Sequence, residues 1–221
     1  MCEVSTVADG NMSFKWGGEN EVNENRNNFL GKMGLNLEDF VVMSLVHGTD
    51  IVEVGKQNAG TVIEADALIT SEVGVGLFMA TGDCFPMVVY TEGKVALVHL
   101  GYQGVRKKLA QKIVEKFENI GNLKVFIGPG SRKESYVFEE VIQKDEPEWQ
   151  PFLEKQSDGK TAVDVVGFIK KQLSDVGIKD IEDCGIDTVK DLNYFSHYRA
   201  VRTGEKEGRF ATVACLPAGR L

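Results

Sequence analysis

Short apolar runs rich in valine, isoleucine and phenylalanine recur along the chain, and Gly, Asp or Pro residues bound them. Runs of this length, enriched in β-branched residues and flanked by turn formers, are typical of β-strands. The pattern therefore predicts strands over residues 40–46, 73–80, 87–90, 95–99, 125–127 and 210–216.

Three other segments repeat apolar residues every three or four positions, which is the spacing of an amphipathic helix. The first predicted helix runs from 105 to 120 and stops near Gly121, and the second runs from 162 to 176, before Gly177. The third covers 21–32. Because strands and helices interleave irregularly, we predict an α+β fold, a single compact domain over residues 1–221 with mixed β-sheets flanked by helices.

Two segments stand out from this pattern. The most polar stretch, residues 143–160, is predicted to be a surface excursion. Arg26 falls on the apolar stripe of the 21–32 helix, where desolvating its guanidinium costs free energy unless an anion meets it. An internal salt bridge, snorkelling at the edge of the stripe and binding of a phosphate each remain open at this point.

Composition narrows the function classes. Apolar residues make up 43% of the chain and charged residues 26%, which is ordinary for a globular protein. The net charge of −8 opposes binding to a phosphate backbone, so nucleic acid is not an expected partner. We expect a cytoplasmic protein with no membrane contact, because the N-terminus has no basic leader and no run reaches about 18 apolar residues. We also expect a monomer or weak homo-oligomer. The four cysteines are scattered without a CxxC pair, which favours reduced thiols.

Three predicted strand ends carry residues that can do chemistry. His47 and His99 each end a strand, and Cys84 follows the strand that ends near residue 80. Imidazole nitrogen and thiolate are zinc ligands, and polar groups on loops at the end of a rigid sheet are a usual arrangement for an active site. The spacings match no compact zinc signature, so from the residues alone a hydrogen-bonded core histidine and an inert buried thiol are the commoner explanation.

Several segments are similar to the hallmark motifs of the laccase-domain family, whose members are described as polyphenol oxidases and as purine nucleoside phosphorylases. The matching segments run in the family's order and cover nearly the whole chain: 46–48, 66–70, 81–86, 99–104, 127–129, 195–199 and 208–211. The chain departs from the family in two places. Leu45 stands where Gln is usual, and Tyr102-Gln103 stands where Trp-Arg is usual.

The resemblance implies a zinc ion held by His47, Cys84 and His99. Three protein ligands leave a fourth position open, as in catalytic zinc sites, where the pKa of a bound water falls to about 7. The implied substrates are purine nucleosides and phosphate, with two reactions: phosphorolysis of adenosine, inosine, guanosine or methylthioadenosine, and hydrolytic deamination of adenosine.

Further site residues follow from the same motifs. Asp83, next to Cys84, is predicted to take part in catalysis, either by moving a proton or orienting a ligand histidine, or else to orient its own turn. Arg26 is the first candidate for phosphate binding, and Tyr102, Gln103 and Arg199 are predicted to contact substrate. His197 is interpreted as a structural or substrate-lining residue.

Three alternatives to the zinc nucleoside enzyme stay open. A copper polyphenol oxidase is the first, although a four-copper laccase needs about ten histidines and this chain has three. A metal-free hydrolase with Cys84 as nucleophile and His99 as base is the second. The third is a binding protein that zinc stabilises, without catalysis.

Overall fold

The computed structural model describes residues 1–217 and contains three β-sheets. The strands are β1 (Cys2–Val4), β2 (Phe40–Leu45), β3 (Ile51–Glu53), β4 (Val62–Ala65), β5 (Ala67–Thr70), β6 (Gly76–Thr81), β7 (Phe85–Tyr90), β8 (Val95–Leu100), β9 (Lys124–Ile127), β10 (Val137–Phe138), β11 (Leu153–Lys155), β12 (Thr161–Val163), β13 (Asp180–Asp183) and β14 (Phe210–Cys215). The helices are α1 (Glu19–Gly31), α2 (Tyr102–Arg106), α3 (Leu109–Val114), α4 (Val165–Asp175) and α5 (His197–Thr203), with several short 3-10 turns.

Two large mixed sheets form the body of the domain. One has the strand order β1-β14-β6-β2-β4 and the other β13-β9-β7-β8-β5-β3, while β10-β12-β11 make a small third sheet. Both large sheets contain parallel and antiparallel neighbours. The predicted α+β fold, a single compact domain with mixed sheets, is therefore confirmed.

Alternation of side chains along the strands explains how the layers stack, because successive residues of a strand point to opposite faces. In β8, Leu97 packs between the two large sheets, whereas Val98 packs against the layer of α2, α3 and α4. In β6, Met79 also faces the space between the sheets, whereas Phe78 packs against α1. The order of layers is thus helix, sheet, sheet and helices, with one apolar core between each pair.

The chain crosses from one large sheet to the other three times at the same end of the domain. These crossings are the segment 46–50 between β2 and β3, Asp66 between β4 and β5, and the turn 82–84 between β6 and β7. The C-terminal ends of β2 and β8 also reach this end, since β2 runs parallel to β4 and β8 runs antiparallel to β7. This edge collects most of the chemically interesting residues.

Most predicted strands are found within a few residues of their predicted ends, but the first predicted helix is not continuous. It is divided into α2 and α3 by Lys108, whose φ of +62° cannot belong to a right-handed helix, and α3 ends at Val114. Its apolar positions from Val105 to Phe117 are buried nevertheless, whereas Ile120 is exposed. The periodicity thus identified the correct face of most of the segment and missed the break. The first two residues of the second predicted helix, 162 and 163, belong to strand β12, and α4 begins at Val165.

The polar stretch 143–160 is more than a surface excursion, and that prediction was wrong for part of it. Trp149 is fully buried, with its ring 4.0 Å from that of Phe168 on α4. A single large aromatic residue thus anchors a segment whose other residues are mostly solvated. Among residues 1–217, no helix is both long and apolar enough to cross a membrane.

A buried ion pair fastens the loops beside this edge, and we predict its effect on stability. Arg132 donates to both carboxylate oxygens of Asp183, at 2.9 and 2.6 Å, and Lys170 lies 2.7 Å from the same carboxylate. Although partial burial opposes ionisation of Asp183, these two cations outweigh it and hold its pKa well below the usual range. Replacing Asp183 by Asn should lower the free energy of unfolding by about 2 kcal/mol at pH 7, because it leaves the Arg132 charge poorly compensated.

The sign of the pH dependence follows from the lowered pKa. The contribution of Asp183 is fully present above the carboxyl pKa of the unfolded chain, near 4, and is lost as the pH falls further. Denaturant unfolding at pH 7 and pH 3 should therefore show a smaller difference between the wild type and Asp183→Asn at pH 3. An equal difference at both pH values would contradict this assignment.

Candidate metal and substrate site

Strand alternation directs two histidine side chains toward each other at the edge where the chain crosses between sheets. Val41, Met43 and Leu45 of β2 face the space between the sheets, and His47 continues this odd-numbered series. Leu97 of β8 does the same, and His99 lies two residues further on. Residues at intervals of two share a face of a strand, so side chains distant in sequence meet at the end of the inter-sheet core.

The two imidazole rings meet directly. The ring centroids of His47 and His99 are 4.9 Å apart, and the rings are almost perpendicular. His47 has a φ of +57°, in the left-handed region, so its backbone turns sharply as it leaves the end of β2. Its pKa is lowered by burial and by the neighbouring His99, which favours the neutral ring that a metal ligand requires.

His99 has one ring nitrogen engaged and one free. Its Nδ1 lies 3.0 Å from Oδ1 of the buried Asp66, whereas its Nε2 is buried and has no hydrogen-bond partner among residues 1–217. Burial disfavours the protonated ring, but the interactions with Asp66 and Cys84 outweigh that effect and raise the pKa of His99 to about 9. A carboxylate on one nitrogen and a free second nitrogen are the usual arrangement of a metal-binding histidine.

Cys84 completes a set of zinc-type donors beside the two histidines. A Cβ atom added to Gly101 would lie 3.1 Å from Nε2 of His99 and 3.5 Å from Sγ of Cys84, so both atoms border the same small space. In the described part of the chain, no three His, Cys, Asp or Glu side chains are close enough together to hold a metal ion as they stand. The donor types and the free Nε2 nevertheless fit zinc, and His47, Cys84 and His99 line one pocket of about 560 Å³.

The rest of that pocket is cationic and aromatic, although the protein as a whole is acidic. Its lining includes Lys15, Arg26 and Arg209 together with Phe14 and Trp16. No Asp or Glu belongs to the lining within the described residues. A cavity lined by one sign of charge attracts ligands of the opposite sign, so this pocket suits an anion beside an aromatic or apolar group.

Arg26 is buried, as its place on the apolar stripe of the helix implies. It donates from Nε and Nη2 to the carbonyl oxygen of Met12, at 3.0 and 2.7 Å, and its guanidinium lies between the rings of Phe14 and Phe78. No carboxylate pairs with it among residues 1–217. Burial lowers its pKa to about 10, so it is still protonated at neutral pH, and its charge lacks an anionic partner. Of the three interpretations of Arg26, the internal salt bridge is not seen.

Comparison with known proteins identifies the family. A family model described as multi-copper polyphenol oxidoreductase laccase matches residues 3–217. The chain belongs to this laccase family. A relative named purine nucleoside phosphorylase from Deinococcus radiodurans is 31% identical over 89% of this chain and 78% of its own length. Another, from Corynebacterium glutamicum, carries the same activity in its name and is 26% identical over 85% of this chain and 80% of its own.

Two solved structures share the fold. YlmD from Geobacillus stearothermophilus has a TM-score of 0.83 and 25% sequence identity, covering 94% of this chain and 85% of its own. The hypothetical protein YfiH from Bacillus licheniformis has a TM-score of 0.84 at 21% identity, with the same coverage. The names of the relatives support an enzymatic role for this laccase-family chain.

Asp83, beside Cys84, has both carboxylate oxygens occupied in this laccase-family site. Oδ1 accepts from the Thr188 hydroxyl at 2.8 Å, and Oδ2 accepts from the backbone N–H of Tyr198 at 2.7 Å. Its φ of +91° is unusual for a residue with a side chain. The two bonds tie the 82–84 crossing to the segment before α5 and to α5 itself. Such bonds are expected of a residue that orients its own turn, and a catalytic role for Asp83 stays a prediction. The carboxylate that contacts a histidine of the pocket is Asp66.

Arg199 and His197 both make protein contacts. Arg199 donates to the carbonyl oxygens of Tyr194 and Thr188 and to the Glu205 carboxylate, so it closes the loop before α5. His197 lines the pocket, but its side chain is about half exposed and its Nδ1 bonds Glu207. The loop bonds of Arg199 favour a structural role over contact with substrate.

Tyr102 and Gln103 do not line the pocket. They open α2 immediately after Gly101, where the Gln103 side chain is exposed and the Tyr102 hydroxyl is buried without a hydrogen-bond partner in the described chain. Burial raises the pKa of Tyr102, so its hydroxyl is protonated and able to donate. Contact of these two residues with substrate therefore stays a prediction.

Sequence reasoning missed three residues that form the pocket and its support. Asp66 and Arg209 both occur in the quoted motifs, but a motif does not say which side chain faces a site. Trp16 was not selected at all, although it lies under the Arg209 guanidinium and its indole N–H is buried without a partner in residues 1–217. A larger concavity of about 990 Å³ lies at the opposite end of the β7-β8 hairpin, around Glu92 and Gly93, and no His or Cys is part of its described lining.

Gly101 offers a test of the pocket that leaves every donor in place. Its φ of −76° is accessible to alanine, but the added Cβ would lie only 2.9 Å from Cε1 of His99. We expect Gly101→Ala to reduce zinc occupancy at least about tenfold by displacing His99 or Cys84, with little change in melting temperature. Gly93→Ala is the matched control, since its Cβ meets nothing within 4 Å. Equal zinc content in both variants, measured by elemental analysis, would contradict this prediction.

Proposed function

We propose that this protein is a zinc-dependent enzyme acting on purine nucleosides, with His47, Cys84 and His99 as the metal ligands. The observation that carries the proposal is a single pocket that joins these donors to the cationic side chains of Lys15, Arg26 and Arg209 and contains no carboxylate in its described lining. The purine nucleoside phosphorylase names of the relatives agree with it. When bound, zinc would supply a Lewis acid at the end of the inter-sheet core.

Phosphorolysis is the main reaction that we propose. A phosphate oxygen forms a bond to C1′ of the ribose, the bond from C1′ to N9 breaks, and the purine leaves with the electron pair and takes up a proton. The pocket must therefore hold an anion next to the nucleoside. Arg26 and Arg209 line it and can donate to phosphate, while Trp16 and Phe14 provide apolar surface for the base.

Hydrolytic deamination of adenosine is the second reaction that we propose for the same site. It needs no phosphate, since water replaces the exocyclic amino group and ammonia leaves. The two reactions can therefore be separated by supplying nucleoside with and without phosphate and identifying the products. Phosphorolysis gives free base and ribose 1-phosphate, whereas deamination gives inosine.

The metal-free hydrolase is the alternative that one observation favours, since Sγ of Cys84 and Nε2 of His99 border the same small space beside Gly101, as a thiol nucleophile and its base must. The decisive experiment combines elemental analysis of purified protein with chelation. A zinc enzyme should contain about one zinc per chain, lose nucleoside turnover on chelation and recover it with zinc. Full activity after chelation, together with loss after alkylation of Cys84, would replace our proposal by the hydrolase. Stoichiometric copper and oxidation of phenols would replace it by the polyphenol oxidase.

The binding-protein alternative makes a different prediction about folding. Zinc that serves only to stabilise the fold should be required for folding, whereas none of the three proposed ligands belongs to the three apolar cores described above. The metal-free protein should therefore remain folded and inactive by circular dichroism and activity assay.

A further inference from the structure

Asp66 occupies one of the points at which the chain crosses between the two large sheets. It lies between β4 and β5, is fully buried and is flanked by the buried Ala65 and Ala67. A carboxylate in such a place costs free energy unless its oxygens are hydrogen-bonded. Each of its two oxygens is bonded, and each bond leads to a different segment that carries a histidine of the pocket.

The first oxygen holds the ring of His99. Oδ1 lies 3.0 Å from Nδ1, and the backbone N–H of His99 donates to the Asp66 carbonyl oxygen at 2.7 Å. A carboxylate can only accept, so Nδ1 must carry the proton of this bond. In a neutral His99 ring, Nε2 then has its lone pair free and faces the space next to Cys84.

The second oxygen holds the segment of His47. Oδ2 accepts from the backbone N–H of Gly48 at 2.6 Å, immediately after the left-handed conformation of His47. A non-glycine residue keeps this conformation only where its surroundings fix it. The bond to Gly48 provides such a constraint at the end of β2, and it sets the direction in which the His47 side chain leaves the strand.

We propose that Asp66 is the positioning residue of the site, and that this one carboxylate aligns both imidazoles for the same cation. The proposal rests on the zinc site of the proposed function. A merely structural Asp66 would fasten the two sheets together, and its loss would change stability without changing the ring nitrogen that His99 offers. The two roles therefore differ in a measurable property of His99.

Asp66→Asn is the decisive variant because it keeps the size of the side chain. If the amide oxygen accepts from Gly48, the amide nitrogen faces Nδ1 of His99 and can only donate. Nδ1 must then be the acceptor, so the ring proton moves to Nε2 and occupies the metal-binding position. We expect zinc affinity, measured by competition with a chromogenic chelator, to fall about 10- to 100-fold. Asp50→Asn is the matched control, because the Asp50 side chain is exposed and makes no hydrogen bond in the described structure.

The readouts separate failure of this inference from failure of the proposed function. A wild type that binds no zinc sinks both. A wild type that binds zinc, with Asp66→Asn binding equally tightly, overturns the role of Asp66 and leaves the enzyme proposal standing. Cobalt substitution adds a second measure, since the thiolate-to-cobalt absorption band should weaken in Asp66→Asn and persist in Asp50→Asn.

Nuclear magnetic resonance of ¹⁵N-labelled histidine tests the inference on the wild type as well, so the test does not depend on folding of the variant. In zinc-loaded wild type, His99 should show a hydrogen-bonded proton on Nδ1 and none on Nε2. In folded, metal-free Asp66→Asn, the neutral ring should carry its proton on Nε2. A proton on Nε2 of His99 in the zinc-loaded wild type would overturn the inference, whatever the variant does.

Discussion

Cys84→Ala should contain less than about a tenth of the zinc of the wild type and should lose nucleoside turnover by a factor of 10³ or more, on the order expected when a catalytic metal is lost. The thiolate is the only anionic donor of the three, so its removal leaves two neutral imidazoles to hold a divalent cation. The fold should persist, because Cys84 lies in a turn and is only partly buried.

Cys2→Ala is the control for this experiment. Burial raises the pKa of the Cys2 thiol to about 12, so the thiol stays protonated at neutral pH. Cys2 also lies outside the pocket lining. Zinc content by elemental analysis and steady-state rates with inosine and phosphate measure the effect. Full activity of Cys84→Ala would remove both the zinc enzyme and the Cys84 hydrolase.

Arg26→Met should raise the KM for phosphate about 10- to 100-fold and leave deamination of adenosine nearly unchanged. A charge-assisted hydrogen bond contributes about 1.5–3 kcal/mol, and methionine keeps the apolar part of the side chain packed between Phe14 and Phe78. Initial rates at varied phosphate concentration measure the effect.

Arg202→Met provides a matched loss of charge at an exposed position on α5, outside the pocket lining. Its phosphate KM should equal that of the wild type. Equal KM values for Arg26→Met and the wild type would assign Arg26 a packing role and move the anion site to Lys15 or Arg209. A proportional loss of deamination and phosphorolysis would show that Arg26 supports the whole site and does not bind phosphate specifically.

The fold class could be predicted from the sequence because the apolar residues follow the spacing of strands in some segments and the spacing of helices in others. Residues 40–46 and 95–99 were predicted as strands and are β2 and β8 with small changes at their ends. The break at Lys108 could not be predicted, because a lysine in the left-handed conformation leaves no trace in the hydrophobic period. Trp149 was missed for a related reason, since one aromatic residue in a polar stretch gives no period at all.

The candidate site was predictable in part. Alternation along β2 and β8 explains why His47 and His99 meet, and their ring distance agrees with the predicted pair. The roles of Asp83 and Arg199 depend on hydrogen bonds to segments about 100 and 10 residues away, which no local pattern contains. Asp66 belongs to a recognised motif, but its contacts with Gly48 and His99 depend on the fold and could not be predicted from the motif.

The three crossings at one end also link metal binding to motion of the sheets. The donors belong to segments of both sheets, so slight opening of this seam would disperse them without unfolding either sheet. A bound cation should hold the seam shut by mass action. Hydrogen exchange of the amides of Gly48, Asp66 and His99 should accordingly slow when zinc is added, while exchange at the far end of the β7-β8 hairpin should stay the same.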